Sequence, residues 1–502
     1  MKLNRARTPI INLGSSGIKN IITMLLGLFT TPYLIRHIGD SNFGLYKTLI
    51  DFFGHFSILE FGLYSTLLGF LVKEVHTKNG KAFSIVKWGV KSYKKVALTS
   101  FIVSIFFSIW FYHRFALSDN RGDLIISLVL CQAFFIVLPM LPYKAYLEAN
   151  HKNYIVNWLQ MLNSLIFTLS AVAIAYFHSS LTGQVVATVI ASYINFKLLK
   201  YFANINVETA SEEFHKDLSS NKLRVAYFFN ELSGRVCLMC DNLIIALFLG
   251  PKFVVPFFVT QKLPQLVQTQ LLNIGNSTWS TLGAIYHSND MPLFNKRLIE
   301  LTKITSVFGS AFLLCIYIFN HAFISLWTGE GEYAGRLFTL IACLNAFFLP
   351  ILALWGWCFN FSQLVDKISK AMWVQAGTNI ILSVLLTKYF GAIGPITGTL
   401  ITYIFVTTFW LSFLLRRHFN TSLLRLHLSW ILPLAFAGFA GKLLEMNGGL
   451  IEVHGWFQFA FKGGVVGVIF LSLSVAIFFS KSEKREMIER IQKLFAKKGA
   501  KL

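Results

Sequence analysis

Acidic side chains are scarce in this chain, and so is charge of any kind. Of 502 residues, 23 are Asp or Glu against 45 Lys or Arg, and charged residues make up only 14%. A soluble protein of this length carries roughly 25% charged residues to solvate its surface. Long polar stretches are also missing. The longest before the C-terminal end is residues 204–222, which leaves no soluble nucleotide-binding or catalytic domain. The sequence has no G-x-x-x-x-G-K-[ST] loop, no H-E-x-x-H, no G-x-S-x-G and no Cys/His spacing of the zinc type. These absences disfavour an ATP-driven pump or a membrane hydrolase. No cofactor or metal is expected, and any driving energy comes from outside the chain or from a gradient. Six cysteines (Cys131, Cys237, Cys240, Cys315, Cys343, Cys358) all fall in apolar stretches, so no secreted disulfide framework is expected. Cys237 and Cys240 spell C-x-x-C, but within an apolar helix, where small buried side chains are the plainer reading.

What the chain does have is grease: 55% hydrophobic residues and a mean hydropathy of +0.59. A helix needs roughly 20 apolar residues to cross a bilayer. Crossings are expected near 9–35, 42–72, 92–115, 123–149, 153–177, 181–203, 223–249, 252–285, 304–328, 334–361, 367–389, 391–415, 427–445 and 456–480. The first follows MKLNRAR, but it runs straight into another span without a small-residue cleavage site, so it reads as a span and not a signal peptide. The fold class is therefore all-α integral membrane, with about 14 helices.

The net charge of +22 lies on alternate loops, so it does not make a nucleic-acid surface. Segments 1–8, 73–91, 150–152, 204–222, 286–303, 362–366, 416–426 and 481–502, with adjoining span ends, carry roughly thirty Lys and Arg, against about seven on the intervening ones. That bias puts both termini in the cytoplasm and closes only for an even number of spans. Anionic inner-leaflet lipids would be attracted to these loops. The polar loop 204–222 divides the chain into an N-lobe (1–203), a C-lobe (223–415), two further spans (416–480) and a basic tail (481–502). Repeated six-helix lobes around a midplane cavity are a common transporter plan. The tail places Met487, Ile488, Ile491, Leu494 and Phe495 at helical spacing, which suits either an amphipathic helix on the membrane or a solvated tail. FGLY occurs at Phe43–Tyr46 and Phe61–Tyr64, five helical turns apart, so both copies would face one way and their glycines would permit close packing.

Charged and polar groups within spans are expensive, about 2.5–3.5 kcal/mol each on translocon scales, and mark function by default. Asn12, Ser16, Lys19 and Thr23 share one face of the first span; Lys19 either snorkels or faces a cavity. Lys47, Asp51 and His55 follow at i, i+4 and i+8, with Lys47 and Asp51 expected to pair, and Glu60 lies deeper. In the seventh span Glu231 and Arg235 can bridge, or Arg235 can offer its fork to a phosphate; Asp241 and Asn242 follow. Asp51 and Asp241 are the ion-coupling candidates. The eighth span aligns Gln261, Gln265, Gln268 and Asn276, with Lys262 beside them. Such a stripe cannot face lipid, so it lines a pathway or bonds to neighbouring helices.

TPYLIRHIGDSNFGLYKTL resembles a pattern of bacterial polysaccharide flippases through Pro32, Tyr33, Arg36, Gly39, Phe43, Gly44 and Tyr46. EFGLYSTLLGFLVKEV, CDNLIIALFLGPKFVVPFFVTQKLPQL, FISLWTGEGEYAG and GTNIILSVLLTKYFGAIGPITGTLITYIF resemble further segments of the same O-antigen flippase family, nearly end to end. The resemblance implies the multidrug/oligosaccharidyl-lipid/polysaccharide exporter fold: two six-helix lobes around a cationic cavity, plus two C-terminal helices. It also implies alternating-access translocation of an undecaprenyl-pyrophosphate-linked glycan across the inner membrane, with polysaccharide polymerase and chain-length machinery as further partners. Lys19, Arg235 and Lys262 are the cations here that could meet the pyrophosphate, with Glu60, Gln261, Gln265, Gln268 and Asn276 as other cavity residues. A multidrug exporter or a peptidoglycan-precursor flippase would share the fold. A glycan polymerase or ligase would need a larger outer loop than the roughly ten residues available here.

Overall fold

The computed structural model describes residues 4–55, 60, 62–74, 81–116, 120–204, 241–362, 364–446, 452–486 and 489. Among them there are helices and short connections, and no strand. A backbone without water partners must bond to itself, and a helix does so within one segment.

Helix α1 (Asn4–His55) breaks at Gly39, whose φ of 77° is one that side-chain-bearing residues avoid. The break falls in the turn expected at 36–41. α2 (Leu63–Glu74) begins after Gly62, at φ 67°. The second crossing is thus interrupted, where an unbroken 42–72 helix was expected. The two FGLY copies therefore do not sit on one helical face: the first lies inside α1, while the second straddles the start of α2. α3 (Lys81–Phe115) begins well before residue 92. α4 (Arg121–Cys131), α5 (Ala133–Val137) and α6 (Leu141–Ala149) make one crossing. Its 3-10 turn at Leu138–Met140 sits where Pro139 and Pro142 remove backbone donors. α7 (Asn153–Phe177) and α8 (Leu181–Ala203) complete the first half. The Asp123 carboxylate accepts from the N–H groups of Leu181 and Thr182 at 2.8 and 3.0 Å, capping the α8 N-terminus.

Residues 241–248 are helical. α9 (Val254–Thr260), α10 (Lys262–His287), α11 (Met291–Trp327) and α12 (Arg336–Phe361) follow. α13 (Val365–Phe390) and α14 (Gly394–Ile401) fold back on each other. A Cβ on Gly394 would stand 2.2 Å from the Thr387 nitrogen, and one on Gly398 2.7 Å from the Ser383 nitrogen, so only glycine permits this hairpin. A π-helical segment, Thr402–Thr408, leads into α15 (Phe409–Phe419), then α16 (Leu423–Met446) and α17 (Trp456–Phe478).

Among the described residues, 10 helical runs are long and apolar enough to cross a membrane. Of these, Val365–Phe419 contains two of the expected crossings, and Gly14–Gly54 holds most of the first with the start of the second. The eighth crossing is α10 with the shorter α9; α10 is too polar to qualify. Most of the seventh lies outside the described residues. The architecture is that of about fourteen membrane helices.

The chain divides into two compact units: Met1–Phe258 with Met372–Gly398, and Val259–Ala371 with Thr399–Leu502. In the first, a core gathers the ends of α2, α3, α6, α7 and α8 around Leu67, Ile85, Tyr93, Leu147 and Leu199. In the second, the apolar windows of α11 and α12 are both 67% buried and that of α17 only 11%. Hence α11 and α12 form its centre and α17 its edge.

Candidate functional site

In the first unit, α1 and α7 are joined by a polar seam. Asn12 donates to the His151 carbonyl at 3.1 Å and accepts from the Tyr154 N–H at 2.9 Å. Asn157 donates to Ser15 Oγ at 2.9 Å, Lys19 Nζ to Gln160 Oε1 at 3.3 Å, and Thr30 to Thr168 at 3.1 Å; Thr23 and Ser164 share a contact of 3.4 Å. Partners ascend together along both helices, so α1 and α7 run parallel, as first and fifth crossings must. Asn12, Lys19 and Thr23 of the anticipated face are used, and Ser15 takes the place expected for Ser16. Lys19 is tied to Gln160 within this seam.

A second group surrounds the interruption between α1 and α2. Glu60 lies in that break, 7% exposed, and Tyr93 Oη donates to its Oε2 at 2.7 Å. Next to the break, Tyr64 Oη donates to Glu148 Oε2 at 2.8 Å. Lys144 Nζ is 3.8 Å from Glu148 Oε1 and 5.1 Å above the Tyr64 ring. One cation, two carboxylates and two phenols from α2, α3, α6 and the break thus gather beside the interruption. Non-helical backbone at membrane depth is tolerated only where protein covers it or a wet cavity adjoins it. Sequence reasoning missed Tyr64, Tyr93, Lys144 and Glu148. The one available signal was the i, i+4 spacing of Lys144 and Glu148 near a span end.

The Lys47–Asp51 pair does not form. Gly44 lets the Pro251 backbone approach so closely that a Cβ would lie 1.9 Å from its carbonyl oxygen. This packing brings residues 242–258 alongside α1. Asn242 Nδ2 donates to Asp51 Oδ2 at 2.5 Å, and Lys47 Nζ lies 4.4 Å over the Phe258 ring instead. Asp241 Oδ1 is buried and has no hydrogen-bond partner among the described residues. Glu231, Arg235, Cys237 and Cys240 lie outside the described residues, as does the side chain of His55 and most of the tail.

In the second unit, α10 presents a broad polar face. Gln265, Thr269, Gln270, Asn273 and Asn276 are exposed, and Gln261, Lys262 and Gln268 half-buried. Gln265 donates to Gln261 at 3.4 Å, Asn273 to Gln270 at 3.4 Å, and Thr269 to the Gln265 carbonyl at 2.8 Å. From Gln265 to Asn276 these side chains bond only within their own helix, among the described residues. One edge of this face packs tightly: Gly275, two turns beyond Gln268, sits where a Cβ would meet the Trp357 ring at 2.2 Å. Of the two expectations for this stripe, helix-to-helix bonding is not seen for Gln265, Gln268 and Asn276 among the described residues.

The profile of the polysaccharide biosynthesis protein family matches residues 11–280. The chain belongs to that family. No curated protein matches it. Among solved structures, this polysaccharide biosynthesis protein is similar to the lipid II flippase MurJ in an inward closed conformation, with 16% identity over 94% of this chain and 99% of that one, at a TM-score of 0.67. An inward-facing multidrug resistance MATE transporter of the MOP superfamily shares 14% identity over 82% of this chain and 98% of its own, at 0.63. A MOP superfamily transporter from Pyrococcus furiosus follows with 12% identity over 83% and 95%, at 0.53. The fold is therefore the one these structures share, over nearly the whole family member, a multi-pass membrane protein.

Proposed function

We propose that this protein is a flippase carrying an undecaprenyl-pyrophosphate-linked oligosaccharide across the bacterial inner membrane for O-antigen- or capsule-type polymers. The α10 face carries the reading: a row of amides and hydroxyls from Gln265 to Asn276, without side-chain bonds to other helices among the described residues, suits a hydroxyl-rich headgroup. Lys19, with Arg235 and Lys262, would offset the pyrophosphate charge. Two lobes, 1–203 and 223–415, would rock to expose the cargo on alternate sides, with Asp51 and Asp241 as candidates for ion coupling and Glu60 as a further cavity residue. Cargo or a gradient must favour the two states differently for net transport.

In a deletion strain, wild-type protein should restore surface glycan. Arg235→Gln with Lys262→Gln should instead let lipid-linked oligosaccharide accumulate at unchanged protein level. Full surface display by that double variant discards the charge-binding role. The buried carboxylates favour a second reading, cation-coupled drug export. Drug accumulation that depends on the protein, with no glycan phenotype, would select it.

A further inference from the structure

A seven-residue π-helical departure in the second unit borders a pocket whose lining shares no residue with the α10 face. Thr402–Thr408 is π-helical, with Thr408 Oγ1 donating to the Tyr403 carbonyl at 2.7 Å and Thr407 Oγ1 to the Thr402 carbonyl at 3.2 Å, both five residues back. Such bulges are rare and collect at functional sites. The adjoining pocket, about 460 Å³, is walled by Ile404, Phe409, Phe413 and Leu423, with Arg416 at its loop end. Phe409 is 74% and Phe413 52% exposed, so the wall opens outward from the unit.

The polar lining is nearly all engaged. Thr408 is bonded to Tyr403. Trp430 Nε1 donates to His427 Nδ1 at 3.2 Å. That leaves the His427 proton on Nε2, which donates to Ser412 Oγ at 3.1 Å. The Arg416 guanidinium, the one charged group of the lining, makes no hydrogen bond among the described residues. Residues 416–426 hold Arg416, Arg417 and Arg425 and no acidic residue, and none of the three makes an ion pair among the described residues. An occupant must therefore be long and apolar with one anionic end, and needs no sugar hydroxyls.

We propose that this pocket holds an anionic phospholipid, its phosphate on Arg416 and an acyl chain against Phe409 and Phe413. Basic pockets between membrane helices on the cytoplasmic side suit such headgroups, and the charge bias of the loops puts 416–426 on that side. The site is separate from the cargo face of α10, so its test does not depend on glycan transport.

The test uses purified full-length protein in detergent. Retained lipid is measured by native mass spectrometry, and the Tm of delipidated protein is followed on titration with phosphatidylglycerol or phosphatidylethanolamine. Phosphatidylglycerol should raise Tm more than phosphatidylethanolamine does. Arg416→Gln should retain about fivefold less anionic lipid, one charge's worth, Arg416→Lys should keep most of it, and Arg417→Gln should change it less than Arg416→Gln. Equal stabilisation by both lipids, unchanged retention by Arg416→Gln, equal loss from Arg417→Gln, or recovery of a polyprenyl phosphate in place of phospholipid would each overturn the proposal. If Arg416→Gln proves unstable, the lipid preference of the wild type still decides.

Discussion

Gly44 shows how one residue steers a site some distance along the same helix. With no side chain it admits the Pro251 carbonyl, and that contact sets Asn242 against Asp51 and Phe258 under Lys47. Backbone cannot yield as a flexible side chain does. Gly44→Ala is expected to destabilise the first unit by about 1–3 kcal/mol, as overpacking does, and to lower Tm measurably in a detergent melt; an unchanged melt would mean that the contact is slack. The Asp51–Asn242 bond was out of reach of sequence reasoning. Local spacing pointed Asp51 to Lys47, and a partner 191 residues away won because packing delivered it. Glu60 was legible as a buried carboxylate, but its Tyr93 partner was not, for the same reason.

Helix α10 is readable from its own sequence as a polar stripe at helical spacing. What spacing could not decide is whether the amides bond outward to neighbours or stand free. The structure leaves Gln265 and Gln268 without bonds to other helices among the described residues. Gln265→Leu with Gln268→Leu should therefore leave Tm unchanged or slightly raised while reducing transport of the glycan. A large fall in Tm would instead place these amides in the packing.

The start of the tail gives a pH prediction. Ser480 and Glu483 form a capping box, with Glu483 accepting from the Ser480 N–H at 2.8 Å and donating its own N–H to Ser480 Oγ at 3.2 Å. Lys303 Nζ donates to Glu483 at 2.6 Å, Lys296 and Arg297 lie 3.5 and 3.4 Å from Glu486, and Arg297 also bonds Glu300. Partial burial pushes the Glu483 carboxyl up, but the Lys303 hydrogen bond and the Ser480 N–H together outweigh it and hold it below the usual range. The Lys296 charge does the same for Glu486. Both carboxyls are lowered on docking, so the contribution is complete above the ordinary carboxylate pKa and is lost as pH falls through the lowered one. Spin labels at positions 301 and 489 should keep their separation from neutral pH down to about 5 and move apart only below about 4. Movement near pH 7 would show that other groups hold the segment.

For the whole molecule, the loop charges require an even number of crossings. Among the described residues Cys131, Cys343 and Cys358 are buried and Cys315 is half-buried, so background labelling of these four should be low, and Cys237→Ser with Cys240→Ser removes the other two. Single cysteines introduced at positions 8, 216 and 485 should all react from the cytoplasmic side, and those at 331 and 452 from the opposite side. Labelling of positions 8 and 485 from different sides would break the fourteen-helix topology and the flippase reading with it.

Hydrophobic length, read residue by residue along the chain, was enough for the membrane class and the helix content, because a bilayer tests each segment's polarity almost independently of the others. The parallel seam of α1 and α7, the interruption at Gly62 and the Tyr93–Glu60 and Tyr64–Glu148 bonds came only with the folded chain. Those features join residues from different helices, and the free energy of a buried polar group depends on which partner three-dimensional packing places beside it.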